Sequence, residues 1–323
     1  KADLTDGKEL PGASLQVLDS NGTVVDEWIS TEEPHMIRGL LVGETYTMVE
    51  TKPADGYTTA ESIEFKVEDT AEVQKHQMLD DVTKVEISKT DMTDSKEVPG
   101  AKLTILDKDG KVVESWVSDK DPHMVEKLPV GTYTLREEQA PDGYLIAEEV
   151  SFEVKDTGEI QKAEMKDARP VGKLVLKKTD AEDGSPLAGA EFELRIKKSG
   201  KVVATLVTDE EGVATSGDIP IASYKDGKMK KEIEYILVET KAPDGYVRSE
   251  KEESIVFTYQ DDKTKEIEIT KELTNERIPT GDYVKSPKTG DDTNIWLPIL
   301  LLVLSVGGIA GIFWYTKKKN HEE

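Results

Sequence analysis

Apolar and polar residues alternate in short runs along residues 1–279, with turn residues about every ten positions. Successive side chains of a β-strand point to opposite faces, so a period of two indicates strands that bury one face. Three runs at corresponding places show this period: Ile63/Phe65/Val67, Val150/Phe152/Val154 and Ile255/Phe257/Tyr259. No stretch before residue 295 has a sustained helical period. The pattern predicts an all-β fold of the sandwich type.

The strand pattern recurs as three copies of one block. The copies share a Lys-x-Asp opening, a hairpin turn followed by Val-Val, and a Gly-Tyr step. The openings are Lys1-Ala2-Asp3, Lys89-Thr90-Asp91 and Lys178-Thr179-Asp180, and the turns are Asn21-Gly22, Asp109-Gly110 and Ser199-Gly200. We predict three tandem domains, residues 1–83, 84–170 and 171–279, the third with an insertion near residues 218–232. The first domain is expected to lack the upstream part of its first strand.

Composition excludes several classes of function. The 323 residues carry a net charge of −24, whereas a nucleic-acid partner needs a basic surface. There is no cysteine, so disulfides and thiolate metal sites are excluded. The four histidines, His35, His76, His123 and His321, lack metal-ligand spacing. No phosphate-binding glycine loop or nucleophile elbow occurs. We therefore predict no metal, no cofactor and no metabolic catalysis.

Three polar residues per repeat occupy the apolar phase of their strands. Lys89 follows Val85 and Ile87 at the same parity, and Asp167 follows Met165 in the same way. The corresponding residues form three trios: Lys1–Glu50–Asp80, Lys89–Glu137–Asp167 and Lys178–Glu239–Asn275. The alternative interpretation is that these are strand ends facing solvent in a protein whose residues are 33% charged.

Burial of such a trio has a chemical consequence. A buried lysine or glutamate either pairs or loses its charge, so a dry site favours the neutral amine and the neutral acid. A neutral amine beside a carboxyl or carboxamide carbon, with a protonated glutamate polarising the carbonyl, is arranged for amide formation. The product would be a Lys–Asp or Lys–Asn isopeptide bond, with loss of water or ammonia respectively. The glutamate would shuttle the proton, and each domain would react once.

The Lys-x-Asp opening, the Gly-Ala step that follows it and the Glu-x-x-x-x-x-Gly-Tyr signature resemble the CnaB (prealbumin-like, SpaA-type) domains of Gram-positive adhesins and pilins. The resemblance extends from residue 1 to about residue 279. It implies reversed immunoglobulin-like sandwiches whose first and last strands are joined by an isopeptide bond. It also implies roles: Lys1, Lys89 and Lys178 as amines, Glu50, Glu137 and Glu239 as catalytic acids, and Asp80, Asp167 and Asn275 as acceptors.

The C-terminal residues have a different character. Residues 280–294 form a polar linker that contains Ser286-Pro287-Lys288-Thr289-Gly290. Residues 295–316 are largely apolar and would span about 33 Å as a helix, enough to cross a bilayer. The basic tail that follows, residues 317–323, is typical of the cytoplasmic side. We predict a C-terminal transmembrane helix.

Pentapeptide, apolar span and basic tail, in this order, resemble the LPxTG-type sorting signal of wall-anchored Gram-positive proteins. Ser286 stands where the commonest motif has leucine. The resemblance implies that a sortase cleaves between Thr289 and Gly290 and joins the threonine carboxyl to a peptidoglycan cross-bridge. The alternative is a plain single-pass membrane anchor.

These features together predict a cell-wall-anchored stalk of an adhesin, which spans the membrane before sortase cleavage. Its expected partners are the sortase, the peptidoglycan cross-bridge and, through an N-terminal head upstream of residue 1, host matrix proteins. Two alternatives stay open. One is a pilin subunit polymerised by a sortase, although no Tyr-Pro-Lys motif occurs. The other is a repeat that itself binds host matrix, for which the insertion at residues 218–232 is the candidate region.

Overall fold

The computed structural model of the chain describes residues 1–279, which contain β-strands and turns but no α-helix. The predicted all-β class is confirmed for this part of the chain. None of these residues belongs to a helix that could cross a membrane. The predicted span at residues 295–316, the basic tail and the sorting motif at residues 286–290 lie outside the described residues.

A strand forms at each of the three alternating runs, but the strand of the third run ends at Val256, before Phe257 and Tyr259. The first repeat contains β1 (Ala2–Asp3), β2 (Ser14–Leu18), β3 (Val24–Ile29), β4 (Thr45–Lys52), β5 (Ile63–Lys66) and β6 (Leu79–Asp80). The second contains β7 (Lys84–Asp91), β8 (Lys102–Leu106), β9 (Val112–Val117), β10 (His123–Glu126), β11 (Gly131–Gln139), β12 (Val150–Val154) and β13 (Ile160–Asp167). The third contains β14 (Val171–Asp180), β15 (Glu191–Ile196), β16 (Val202–Val207), β17 (Val213–Thr215), β18 (Ile219–Pro220), β19 (Ala222–Lys225), β20 (Lys228–Glu232), β21 (Glu234–Lys241), β22 (Glu253–Val256) and β23 (Glu266–Asn275).

Each repeat has a four-stranded antiparallel sheet with the same topology. Its order is β3-β2-β4-β5 in the first repeat, β12-β11-β8-β9 in the second and β16-β15-β21-β22 in the third. The first two strands of each sheet form the predicted hairpin. In the first hairpin, the Asp19 carboxylate accepts hydrogen bonds from the amides of Asn21 and Thr23, and Gly22 adopts a φ of 81°. The side chain thus stabilises a turn that needs a left-handed residue.

A second sheet in each repeat is built on the first and last strands, which run parallel to each other. The pairs are β1 with β6, β7 with β13 and β14 with β23. Additional short strands extend this sheet, β10 beside β7 and β17 and β18 beside β14. Because the ends of each repeat lie side by side, residues that are far apart in the sequence become neighbours.

Each repeat buries its own apolar cluster between its two sheets. The clusters include Leu15, Val17 and Tyr46 in the first repeat, Leu103, Ile105 and Leu135 in the second, and Leu176, Leu194 and Phe257 in the third. The alternating burial of β11, for example, follows the alternation of its sequence. Residues Lys1–Arg277 together form one compact unit.

We expect the second repeat to depend on Leu135, which is fully buried, and not on the exposed Val117. Leu135→Ala should lower its free energy of unfolding by about 2–5 kcal/mol, because it leaves a cavity in the core. Val117→Ala is the control and should have little effect. In residues 1–279 the tryptophans are Trp28 and Trp116, so the fluorescence of this fragment in a Trp28→Phe background reports the urea unfolding of the second repeat. Equal effects of the two substitutions would contradict the assigned core.

Candidate functional site

The parallel pairing of the first and last strands brings each predicted lysine beside its predicted acceptor. In the second repeat, Lys89 lies opposite Met165 in register, and Asp91 lies opposite Asp167. Asp167 is therefore a diagonal neighbour of Lys89 on the same face of the sheet. The third repeat has the same register, with Lys178 opposite Leu273.

In the first two repeats the lysine contacts both carboxyl groups of its trio. The Lys1 ammonium lies 2.8 Å from Glu50 and is in direct contact with Asp80. The Lys89 ammonium lies 3.1 Å from Glu137 and is in direct contact with Asp167. The neighbouring carboxylate of Asp81 instead pairs with Lys84.

The third trio has a carboxamide as acceptor and a different pattern of contacts. The Lys178 Nζ atom lies 3.4 Å from Glu239 and donates a hydrogen bond to the Thr274 carbonyl oxygen at 2.9 Å. Asn275 donates through its Nδ2 atom to Glu239 Oε1 at 2.9 Å. Glu239 thus lies between the amine and the amide nitrogen that would leave.

The glutamate of each trio is oriented by the backbone. One of its carboxylate oxygens accepts a hydrogen bond from the amide ten residues further along the chain, at 2.6–2.7 Å. The donors are Ala60, Ala147 and Ser249. A register shift of the β-bulge type adjoins each of these glutamates in the pairing with the preceding strand. Bulges of this kind commonly redirect a side chain next to a reactive site.

Burial shifts the pKa of three of these side chains, Asp80, Asp167 and Lys178. Lys89, Asp167 and Glu137 are at most 4% exposed, and the trio would carry a net negative charge if all its members were ionised. Burial raises the pKa of Asp167 to about 7 and that of Asp80 to about 6. In the third repeat, burial lowers the pKa of the Lys178 amine. These directions favour the neutral acid and the neutral amine, the forms that amide formation requires.

The nine residues of the predicted trios thus lie in three buried groups, each formed by the first and last strands of its repeat and one strand of the facing sheet. Asp80, Asp167 and Asn275 each have one buried side-chain oxygen without a hydrogen-bond partner. Buried polar atoms are usually paired, so these unpaired oxygens are consistent with a reactive site. The covalent bonds themselves stay a prediction. Among the described residues, no cluster of histidine or carboxylate side chains could hold a metal ion.

A second recurring cluster was missed by the sequence analysis. The tyrosine of each Gly-Tyr step donates a hydrogen bond of 2.7 Å to the aspartate of the Lys-x-Asp opening. The pairs are Tyr57–Asp3, Tyr144–Asp91 and Tyr246–Asp180. The hydrogen bond from Tyr57 is the main cause that lowers the pKa of Asp3 to about 2. Both residue types recur in the sequence at fixed places, and that recurrence was the available signal.

The fold and the site define a class: tandem all-β sandwiches with a buried lysine, glutamate and amide or acid acceptor in each. Comparison with protein families gives the same result, because the SpaA prealbumin-like fold domain matches residues 1–81, 83–169 and 172–273. The chain belongs to this family. No curated protein matches the chain by sequence.

Among solved structures, the Bacillus anthracis TIE protein is similar, with 27% identity and a TM-score of 0.51. The match covers 84% of this chain and 49% of that one, so the chain spans about half the length of that protein. BcpA, the major pilin subunit of Bacillus cereus, matches at 18% identity and a TM-score of 0.44, over 85% of this chain and 97% of that one.

The raised pKa of Asp167 predicts a pH dependence in a variant that cannot cross-link. In Lys89→Met the buried acid has no amine, and the folded state binds a proton more tightly than the unfolded state does. The stability of the second repeat should therefore fall as the pH rises from about 4 to 7, by about 1.4 kcal/mol for each unit of pKa difference. Urea unfolding followed by Trp116 fluorescence measures this.

The control is the double variant Lys89→Met/Asp167→Asn, in which the titrating group is absent. The difference in the free energy of unfolding between the two variants should shrink toward acid pH. A difference that is constant with pH, or that grows toward acid pH, would contradict the assignment of Asp167 as a buried neutral acid.

Proposed function

We propose that the chain is the wall-anchored stalk of a Gram-positive surface protein, stiffened by three self-formed isopeptide bonds. The bonds would join Lys1 to Asp80, Lys89 to Asp167, and Lys178 to Asn275. The observation that carries this proposal is the burial of each amine against its acceptor and a backbone-oriented glutamate. Apart from this single turnover in each domain, the stalk performs no catalysis.

The geometry of the third repeat supports the following reaction. The neutral amine of Lys178 attacks the Cγ atom of Asn275, forming a C–N bond. One amine proton passes to Glu239, and Glu239 delivers a proton to the Nδ2 atom with which it already shares a hydrogen bond. The bond from Cγ to Nδ2 then breaks, and ammonia leaves. Glu239 ends in the protonation state in which it began.

The first and second repeats would lose water instead of ammonia. A protonated aspartic acid supports this step, because hydroxide is a poor leaving group. The hydroxyl group of the neutral acid can leave as water once it receives a further proton. The pKa of Asp167, raised to about 7 by burial, keeps that proton on the trio near neutral pH. Glu137, 3.1 Å from the Lys89 amine, is placed to relay the amine proton to the leaving oxygen.

A bond at this place would change the mechanics of each domain. It would close a loop of about 80 residues or more, worth roughly 4 kcal/mol by analogy with disulfide loop entropy. The larger effect concerns force, since the bonded residues lie on the first and last strands. Tension between the ends of a domain would pass through the covalent bond, and the intervening strands would carry little load. A chain without cysteine needs such a substitute for disulfides.

The anchoring part of the proposal rests on the sequence. The Ser286–Gly290 pentapeptide would be cleaved by a sortase after Thr289, and the stalk would then be linked to a peptidoglycan cross-bridge. The negative charge of the chain suits an exposed surface that repels its neighbours. A head that binds host matrix would lie upstream of residue 1.

The intact mass of recombinant residues 1–279 tests the bonds. We expect it to fall short of the mass calculated from the sequence by two waters and one ammonia, one molecule for each repeat. Glu137→Gln should restore one water, because glutamine cannot relay the proton. Glu138→Gln is the matched control, since the adjacent side chain is exposed and should leave the mass deficit unchanged.

For the third repeat, Glu239→Gln should abolish the loss of ammonia specifically. A wild-type mass equal to the calculated one would refute the covalent mechanism, and so would a deficit that persists when the glutamates are replaced. In the first case the trios would be ordinary buried polar groups, and in the second case the bonds would form without the help of the glutamates.

Wall attachment tests the sorting motif separately. In a Gram-positive host with a housekeeping sortase, Thr289→Ala should leave the full chain in the membrane fraction and remove it from the covalently linked wall fraction. Thr293→Ala, just outside the pentapeptide, is the control and should still be linked. Wall linkage of the Thr289 variant would contradict the proposal. A ladder of covalent multimers would favour a polymerised pilin subunit over a monomeric stalk.

A further inference from the structure

The turn that contains the Gly-Tyr step contacts the following repeat at both junctions between repeats. In the first repeat this turn is Asp55-Gly56-Tyr57, and in the second it is Asp142-Gly143-Tyr144. Its glycine has a φ of 84° in the first case and 88° in the second. The tyrosine hydroxyl is bound to the aspartate two residues after the reactive lysine, so the turn is attached firmly to its own domain.

At the first junction, the second repeat supplies Lys127, itself at a φ of 63°. Its ammonium donates a hydrogen bond to the Tyr57 hydroxyl at 2.6 Å and lies 3.4 Å from the Asp3 carboxylate. Its backbone carbonyl occupies the space that a Cβ atom on Gly56 would need. Because the lysine side chain is half-exposed, its ion pair with Asp3 contributes little, and the specific contacts are the hydrogen bond to Tyr57 and the close backbone fit.

The first repeat lacks a cation of its own at this place. The second and third repeats have Arg169 and Arg277 two residues after the acceptor, and each arginine binds the aspartate of its own Asp–Tyr pair. The first repeat has Val82 there instead. Lys127 of the following repeat therefore supplies the positive charge that the other two pairs receive from their own domain.

At the second junction, the insertion of the third repeat occupies the equivalent turn. The insertion forms the hairpin β19–β20, with Asp226-Gly227 at its tip, and its Tyr224 hydroxyl donates to the Gly143 carbonyl at 2.5 Å. The Arg169 guanidinium lies 4.0 Å above the Tyr224 ring. Met229 fills the space beside Gly143, where an added Cβ atom would lie 2.6 Å from the Met229 Cβ. The region considered for matrix binding thus packs against the second repeat.

A second contact is also shared by the two junctions. The amide two residues after the tyrosine donates a hydrogen bond of 2.8 Å to the loop that precedes the last strand of the next repeat. At the first junction Thr59 donates to the Asp156 side chain, and at the second Ile146 donates to the Asp262 carbonyl. Two different sets of side chains therefore produce the same docking arrangement.

The third repeat provides the comparison. Its turn, Asp244-Gly245-Tyr246, has the same conformation, with a φ of 87° at the glycine. Among the described residues, no atom lies within 4 Å of a Cβ added to Gly245. The close approach at Gly56 and Gly143 is therefore a property of the junctions and not of the turn.

From these observations we propose that the Asp-Gly-Tyr turn is a docking element for the next repeat, which holds the three sandwiches in a fixed mutual orientation. Stiffness between repeats is then encoded separately from the bonds within them. The docking contacts involve none of the nine residues of the reactive trios. The docking role therefore does not depend on whether the isopeptide bonds form.

Distance distributions between spin labels test the proposal on residues 1–279, the part that contains the compact unit. The chain has no cysteine, so pairs of introduced cysteines label it uniquely. Asn21→Cys with Asp109→Cys reports the first junction, and Asp109→Cys with Ser199→Cys reports the second. All three sites are exposed hairpin turns. Pulsed electron–electron double resonance should give one narrow peak for each pair.

Gly56→Ala should remove the narrow peak of the first pair only, and Gly143→Ala that of the second pair only. Gly245→Ala is the matched control, because alanine meets the same unfavourable φ there but no neighbouring repeat, and both peaks should stay narrow. Lys127→Met and Tyr224→Ala, which leave the turns themselves unchanged, should also broaden the first and second peaks respectively.

Two results would overturn the proposal. One is a broad distribution in the parent chain, which would mean that the repeats move freely. The other is a set of peaks that stay narrow in the Gly56, Gly143, Lys127 and Tyr224 variants. If Gly245→Ala broadened the peaks as much as Gly56→Ala does, the effect would arise from the turn within its own domain, and the docking role would be rejected.

Discussion

The parallel pairing of the first and last strands is the constraint on which the rest of the structure depends. A residue of the first strand lies diagonally beside the residue that comes two positions after its direct partner on the last strand. Both side chains are on the same buried face. Lys89 and Asp167 become neighbours in this way although they are 78 residues apart in sequence. The glutamate comes from a strand of the facing antiparallel sheet, which is β4, β11 or β21 in the three repeats. The three side chains of each trio lie buried between the two sheets.

The same strand ends also support the junctions between repeats. The lysine that faces the core and the aspartate two residues later belong to one short segment, so the buried trio and the docking turn are attached to the same strand. Asp3 and Asp91 bind their tyrosines at the end of the first and second sandwiches, next to the point where the chain enters the following domain. In the proposed stalk, isopeptide bonds at the trios would stiffen each domain, and the docking turns would stiffen the junctions between domains.

Much of this arrangement could be predicted from the sequence because it depends on local periodicity. The alternation of β11 and the parity of Lys89 with Val85 and Ile87 are properties of single strands. The junctions could not be predicted, since Lys127 has no motif around it and its role depends on the absence of a cation at Val82. The docking contact of the insertion could not be predicted from the sequence either, because Tyr224 and Met229 contact Gly143 only when two domains are placed side by side. Long-range pairing of this kind leaves no periodic signal.

Stretching single molecules of residues 1–279 between their ends tests the central claim most directly. If the three bonds form, force should pass from lysine to acceptor in each repeat, and no domain should extend before the attachment breaks. The contradicting result is a series of unfolding steps, each lengthening the chain by roughly 260 Å or more as some 80 residues per domain become extended. Such steps would show that the first and last strands are held only by hydrogen bonds and ion pairs.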